Sequence, residues 1–213
     1  AHLLEQPMAA AIGAGLPIEQ PVGNMVVDIG GGTTETALIS LGGVVALEAV
    51  RVGSFDIDAA VQVFVRREHG IAVGEQTAEQ IKLAIGSAHP TDELWGAEVR
   101  GRELMSGLPR TVMLTSAEVR EAIEEPVSAM VDSVVSCIGS APPELAQDLI
   151  VRGIHLVGGG GMLRGMATRI ADATHVPVTL VRQPLESVVL GAGQCIESFD
   201  EVGEMFMASR GRR

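Results

Sequence analysis

The sequence predicts an α/β fold, and two patterns carry that reading. In the second half an apolar run, Gly153 to Val157, meets four glycines, Gly158 to Gly161. A helical stretch from Met162 to Thr174 and a second apolar run from Val176 to Val181 follow. Strand, glycine loop, helix and strand in that order make an α/β unit. Nearer the start, Met25 to Ile29, Thr34 to Ser40 and Val44 to Arg51 are β-rich runs separated by glycine turns. They read as an antiparallel meander.

The remaining elements follow in chain order. Leu3-Leu4 reads as the end of a strand and Pro7 as a first-turn helix residue. Ser54 to Glu68 switches to helical period, with Ile57, Val61, Phe64 and Val65 on one face. Thr77 to Ile85 is a second helix, closed by Gly86. Ser87 to Pro109 is polar and irregular, with weak strand signals at Ala97 to Arg100 and Thr111 to Leu114. Thr115 and Glu118 form a capping box at the head of a long helix. Val119, Ile123, Val127, Met130, Val131, Val134 and Ile138 hold its apolar face, and Pro126 should kink or break it. Pro142-Pro143 opens a short helix through Ile150, and a last helix spans Glu186 to Ser198.

Composition bounds the function. With 213 residues, 46% hydrophobic and 20% charged, the chain can bury a core in one large domain or two small ones. Aromatic residues are only 2%, with Trp95 the single Trp, so the core must be aliphatic. A net charge of −12 argues against a nucleic-acid partner, whose phosphates demand clustered Lys and Arg. The one basic run, Arg210-Gly211-Arg212-Arg213, reads as a solvated end. Cys137 and Cys195 read as buried free thiols of a reducing compartment, and the five His residues lack metal-ligand spacing. No apolar run approaches the roughly 20 residues of a membrane span, and no signal peptide is visible, so a cytoplasmic protein is expected. The chain opens at Ala1, without Met and close to the middle of an element, which reads as a fragment.

Three features can carry chemistry. Asp28-Ile29-Gly30-Gly31-Gly32-Thr33-Thr34 lets backbone N–H groups approach an anion, forming a nest for phosphate oxygens. Thr33 and Thr34 add hydroxyls, and Asp28 can hold a hydrated Mg²⁺. The same glycines would also serve a plain hairpin turn. Gly158 to Gly161, between a strand and a helix, exposes helix N-terminal amides to an anion or a polar ligand edge. It is neither a Walker A loop nor a dinucleotide fingerprint, and a packing loop is the alternative. Glu79 and Lys82, three apart on one helical face, read first as a solvated ion pair. Two glycine loops on opposite sides of an α/β unit suggest a nucleotide between them.

The runs Glu5 to Gly13, Met25 to Glu35, Gly74 to Glu79, Gly107-Leu108-Pro109, Leu156 to Gly160 and Leu163-Arg164-Gly165 resemble the MreB family of bacterial actin-like proteins. The likeness covers nearly all of residues 3 to 197. It implies the actin/chaperone/sugar-kinase ATPase fold, in which two large domains clasp ATP and Mg²⁺. By that likeness residues 1–18 end the first domain, and residues 19–54 and 113–186 form the second core subdomain. Residues 55–112 form an inserted small subdomain, and 187–213 a helix and tail returning to the first domain. Gly30, Gly31, Gly32, Thr33 and Thr34 match the family's second phosphate loop. Glu79, Gln80, Ile81 and Lys82 match the helix lining the adenosine, and Gly158, Gly159, Gly160, Gly161 and Met162 the adenosine loop. Asp28 matches the carboxylate that orients metal-bound water, and Gln6 and Thr33 the water-placing positions.

Three departures accompany the match. The family's first phosphate loop is absent. Gln6 replaces a water-activating glutamate and cannot accept a proton, though actin also carries Gln there. Gly53-Ser54-Phe55 stands where Gly-Gly-Asp is usual. The resemblance implies a slow ATPase that assembles into filaments with itself and organises cell shape. Its partners would be RodZ and the cell-elongation machinery, and the inner membrane surface through the first domain only. The alternative is a non-catalytic module that binds a partner or a filament without ATP turnover. An isolated rear half should also expose apolar surface along Leu3, Leu4 and the helix from Glu186.

Overall fold

The computed structural model describes residues 3–91 and 93–197. Helix α1 (Gln6–Gly13) comes first, with Pro7 in its opening turn, where a missing N–H costs nothing. Strands β1 (Asn24–Ile29), β2 (Thr34–Ser40) and β3 (Gly43–Val50) form the antiparallel meander. Helix α2 (Ser54–His69), strand β4 (Ile71–Ala72) and helix α3 (Glu75–Ile85) follow. Strands β5 (Gly96–Glu103) and β6 (Pro109–Thr115) then form a hairpin. Helices α4 (Ser116–Ala122), α5 (Glu124–Ser140) and α6 (Pro143–Arg152) lead to strand β7 (Ile154–Val157). A 3₁₀ turn (Gly160–Met162), helix α7 (Met166–Thr174), strand β8 (Val178–Leu180) and helix α8 (Ser187–Glu197) complete the described chain.

Two sheets result. The larger has the order β3-β2-β1-β7-β8, the smaller β4-β5-β6. In the larger one β1 runs antiparallel to β2 and parallel to β7, which runs parallel to β8. All six residues of β1 are buried, because it is central and covered on both faces. Met25, Val27 and Ile29 face a core shared with α2, α5 and α7, where Ile57, Val61, Val127, Met130 and Val134 are fully or almost fully buried. Val26 and Val157 face a smaller core on the α1 side, with Met8, Ala10 and Ala11.

Two expectations are corrected and two are borne out. The weak strand signals at Ala97 to Arg100 and Thr111 to Leu114 are full strands: Gly96 to Glu103 alternates outward polar residues with Ala97, Val99 and Gly101, and pairs with Pro109 to Thr115. The break expected from Pro126 is borne out: the long helix after Thr115 is two helices, parted at Ile123. Pro126 has no N–H for the carbonyl of Ala122 and its ring crowds that group, so α4 ends there. The helix expected from Met162 begins only at Met166, because Gly160–Met162 closes as a 3₁₀ turn and the chain re-enters through Gly165. The capping box itself holds: Thr115 Oγ1 accepts from Glu118 N, and Thr115 N donates to Glu118 Oε2 at 2.8 Å.

Helices α1 and α8 pack along each other at the edge of the smaller core. They meet at Gly13 and Gly191. A Cβ at Gly13 would lie 1.8 Å from the Ser187 carbonyl oxygen, and one at Gly191 1.8 Å from that of Ala9. Only bare backbone lets the two helices approach this closely. The outer side of the pair carries exposed Leu3, Val189 and Ile196, whereas Leu4 is half-buried against the smaller core. Ser198 and the Arg210 to Arg213 run lie outside the described residues.

Gly191→Val should destabilise the protein by about 3 kcal/mol through overpacking of this crossing. Urea denaturation followed by circular dichroism reads it; an unchanged midpoint would mean the crossing is loose.

Candidate functional site

Because β1 and β7 are parallel neighbours, the loops that leave their carboxyl ends emerge side by side. Those loops are the two glycine runs. Gly158 adopts φ 81°, and a Cβ there would lie 2.3 Å from the Ile29 carbonyl oxygen and 2.5 Å from Asp28 Oδ1. Both the left-handed backbone and the close approach demand glycine. In open α/β sheets ligands bind in the crevice outside the carboxyl ends of the strands, the end from which these two loops leave.

The first loop turns tightly, with Gly30 N donating to Thr33 O at 2.9 Å. Its carbonyls are used locally: Ser54 N donates to Gly30 O at 3.0 Å and Phe55 N to Gly31 O at 2.8 Å. Gly53 N bonds Asp56 Oδ2 at 2.8 Å, so Gly53-Ser54-Phe55 builds a sound helix start against the loop. The amides of Gly31, Gly32 and Thr33 are left over. They meet no protein acceptor among the described residues, and Gly32 and Thr33 are exposed. Free, outward-facing N–H groups on a glycine turn form an anion cradle. Thr34 is not part of it, since its hydroxyl is buried and donates to Val52 O at 2.8 Å.

On the α1 side of β1, Gln6 Nε2 donates to Asp28 Oδ2 at 2.9 Å. Asp28 is buried, and desolvation lifts its carboxyl above the usual carboxylate range, with the Gln6 bond opposing. Glu35 stands opposite Asp28 in the β1–β2 register. Burial first, then the Asp28 charge, raises its pKa too. Gln6, Asp28 and the phosphate-type loop therefore share one end of the sheet.

A cleft of about 150 Å³ opens beside the second loop. One wall is Gly159, Gly160, Met162, Leu163 and Arg164; the other is Lys82, Leu83 and Gly86 of α3, with Ser54 and Ile57 of α2 beneath. Spaces of about this size take a single aromatic ring system. Lys82 Nζ lies 2.9 Å from the Asp58 carboxylate and 3.3 Å from Ser54 O. Both charged residues are buried, and burial pushes the Asp58 carboxyl up while Lys82 opposes the shift.

The structure thus brings Gly159, Gly160, Met162 and Lys82 to one cleft, and Gln6, Asp28, Gly30, Gly31, Gly32 and Thr33 to the carboxyl end of β1; Gly158 packs against Ile29 and Asp28, and Gly161 is buried against Leu156. The structure distributes the rest of the α3 set. Glu79 does not pair with Lys82, because the buried Asp58 holds that ammonium more closely; Glu79 lines an adjoining groove with Phe55, Asp58 and Gln62. Ile81 is buried in the core, and Gln80 faces a separate groove towards β5. Ser54, Asp58 and Arg164 were missed. Asp58 carried no sequence signal, since only tertiary packing pairs α2 with α3. Arg164 did carry one, sitting in the Leu163-Arg164-Gly165 run directly after the loop.

Burial makes ionised Asp28 costly in the fold. Its folded-state pKa exceeds its unfolded value, so stability falls as pH rises through the folded pKa and is recovered below the unfolded one. Asp28→Asn should raise stability at neutral pH by about 1 kcal/mol and flatten that acid-side slope. Denaturant midpoints measured across the acid range check both.

The profile of the MreB/Mbl protein family matches residues 1–204. The cell shape-determining protein MreB of Escherichia coli (strain K12) is 49% identical over 201 residues, covering 94% of this chain and 58% of that protein. The cell shape-determining protein Mbl of Bacillus subtilis (strain 168) is 39% identical over 201 residues, covering 94% of this chain and 60% of that one. The crystal structure of MreB5 of Spiroplasma citri bound to ADP superposes with a TM-score of 0.89 at 33% identity, over 94% of this chain and 61% of that one. The MamK double helical filament has a TM-score of 0.75 at 20% identity, covering 91% of this chain and 59% of that chain; it supports the actin-like fold alone. The chain therefore spans less than two thirds of the length of these relatives.

Proposed function

This chain belongs to the MreB/Mbl family, and from that premise we propose that it is part of an ATP-binding, actin-like protein whose filaments organise cell shape. The observation that carries the proposal is the convergence of two glycine loops on one sheet end, with an empty-handed row of amides at Gly31, Gly32 and Thr33. A relative of the same fold binds ADP, which fits such a cradle. Residues 19–54 and 113–186 serve as the second core subdomain and 55–112 as the small subdomain, with the cleft between them.

The base and sugar lie between the Gly159–Met162 turn and the Lys82–Gly86 end of α3, and the phosphates run toward the first loop. Amides of Gly31, Gly32 and Thr33 then meet phosphate oxygens at no cost in competing bonds. Lys82, held by Asp58, lends positive potential without being free to wander. The donor set at Asp28 suits a hydrated Mg²⁺: one carboxylate oxygen is engaged by Gln6, and this ion keeps several of its waters while using one or two carboxylates and the substrate phosphates. Such an ion supplies charge neutralisation on the phosphates.

Gln6 spends its amide N–H on Asp28, leaving its carbonyl oxygen to accept from a water beside Thr33. It orients that water and cannot take its proton, so slow turnover follows. Slow turnover suits a filament subunit, where the nucleotide acts as a timer of assembly. Stacking of like subunits head to tail gives an open filament. Membrane attachment, RodZ and the elongation machinery enter through the family likeness only; among the described residues no helix is long and apolar enough to cross a membrane.

Calorimetry of the intact protein with MgATP tests the reading, alongside electron microscopy of filaments. Micromolar binding with nucleotide-dependent filaments is expected; filaments without nucleotide binding would favour the non-catalytic module. Gln6→Glu should speed phosphate release by about 100-fold by restoring a proton acceptor. An unchanged rate would mean that proton removal does not limit turnover.

A further inference from the structure

Arg164 follows the turn that forms one wall of the cleft, yet every partner of its side chain belongs to the opposite wall or the segment just beyond it. Nη2 donates to Leu83 O at 2.9 Å, and Nη1 to Ala84 O at 2.8 Å and Gly86 O at 3.5 Å. These are carbonyls at the C-terminal end of α3, which have no acceptor role inside the helix and carry its negative dipole end. The guanidinium carbon also stands 5.0 Å from the centroid of the Trp95 ring. The Arg164 backbone joins in, its carbonyl accepting from Ala88 N at 2.7 Å and from Ser87 Oγ at 3.3 Å.

A planar fork with five N–H donors suits this cluster, because it bonds several carbonyls while its face lies on an aromatic ring. Lysine offers a point charge and no fork. The span from Met162 and Leu163 to Leu83 and Gly86 is the width of the cleft, and one side chain bridges it. Any movement that widens the cleft pulls the guanidinium off the α3 carbonyls and off Trp95 together.

We propose that Arg164 is the positioning residue that sets the width of the nucleotide cleft, with Trp95 as its platform. It rests on the nucleotide reading above. Arg164 clamps the α3 terminus against the 3₁₀ turn, so the two walls are held at the spacing a flat ring needs before any ligand arrives. Affinity gained in this way comes from preorganisation, since the fork is already committed to protein carbonyls.

The test is calorimetry of MgATP binding to the full-length protein, which reads dissociation constant and stoichiometry separately. Arg164→Gln should weaken binding about tenfold with stoichiometry unchanged. Arg164→Lys should fall between that variant and wild type, since one ammonium reaches fewer carbonyls at a time. Trp95→Phe keeps a ring beneath the guanidinium and should stay within about twofold of wild type. A purely structural role would lower the fraction of competent protein and leave the dissociation constant alone. Unchanged affinity in Arg164→Gln, with or without lost stoichiometry, would overturn the role. Wild-type protein that binds no nucleotide would overturn the nucleotide reading and this role with it.

Discussion

The parallel pairing of β1 with β7 is the constraint on which the rest depends. Met25 pairs with Ile154 and Asp28 with Val157, so the strands end within a residue of each other and both glycine loops leave from the same edge. Their separation is set by strand spacing, about 4.8 Å, and leaves no room for a side chain at Gly158 against the Ile29 carbonyl. Move either strand by one residue and Asp28 loses its side of the sheet, since side chains alternate faces. Gln6, on a helix packed over that face, would then have nothing to bond.

Around this edge the protein tolerates several electrostatically costly groups. Asp28 and Glu35 sit opposite one another with raised pKa values, and Lys82 with Asp58 is a charge pair largely shut away from water. A buried pair of this kind roughly breaks even in stability at best. It fixes the Lys82 ammonium at a defined place, against the Asp58 carboxylate and the Ser54 carbonyl. The aliphatic core on either side of the sheet supplies the stability that offsets these groups.

Helices α1 and α8 extend the same logic outward. Their close crossing at Gly13 and Gly191 ties the helix that carries Gln6 to the last described helix. On the far side of the cleft Arg164 ties the loop wall to α3. The two ties differ in kind: the helix crossing is of bare backbone, and the one across the cleft is of charge.

Much of this was legible in the residues. The meander, the helix from Ser54, the capping box at Thr115 and the glycine loops follow local rules of period, turn chemistry and capping, and they stand in the structure within a residue or two. The hairpin of β5 and β6 was faint because it is largely solvent-facing, and hydrophobic pattern weakens where only one face is covered. The pairing of the two glycine loops was read from the residues themselves, and the family likeness supplied the subdomain bounds.

The sequence by itself determined the strands of the meander, which glycines turn, and that the core is aliphatic. Only the tertiary structure decided that Lys82 belongs to Asp58 and not to Glu79, that Thr34 is spent on Val52, and that Arg164 spans the cleft. The reason is physical: local spacing lists the neighbours a side chain can reach along its own helix, while burial and packing bring competitors from distant segments, and the better desolvated partner wins.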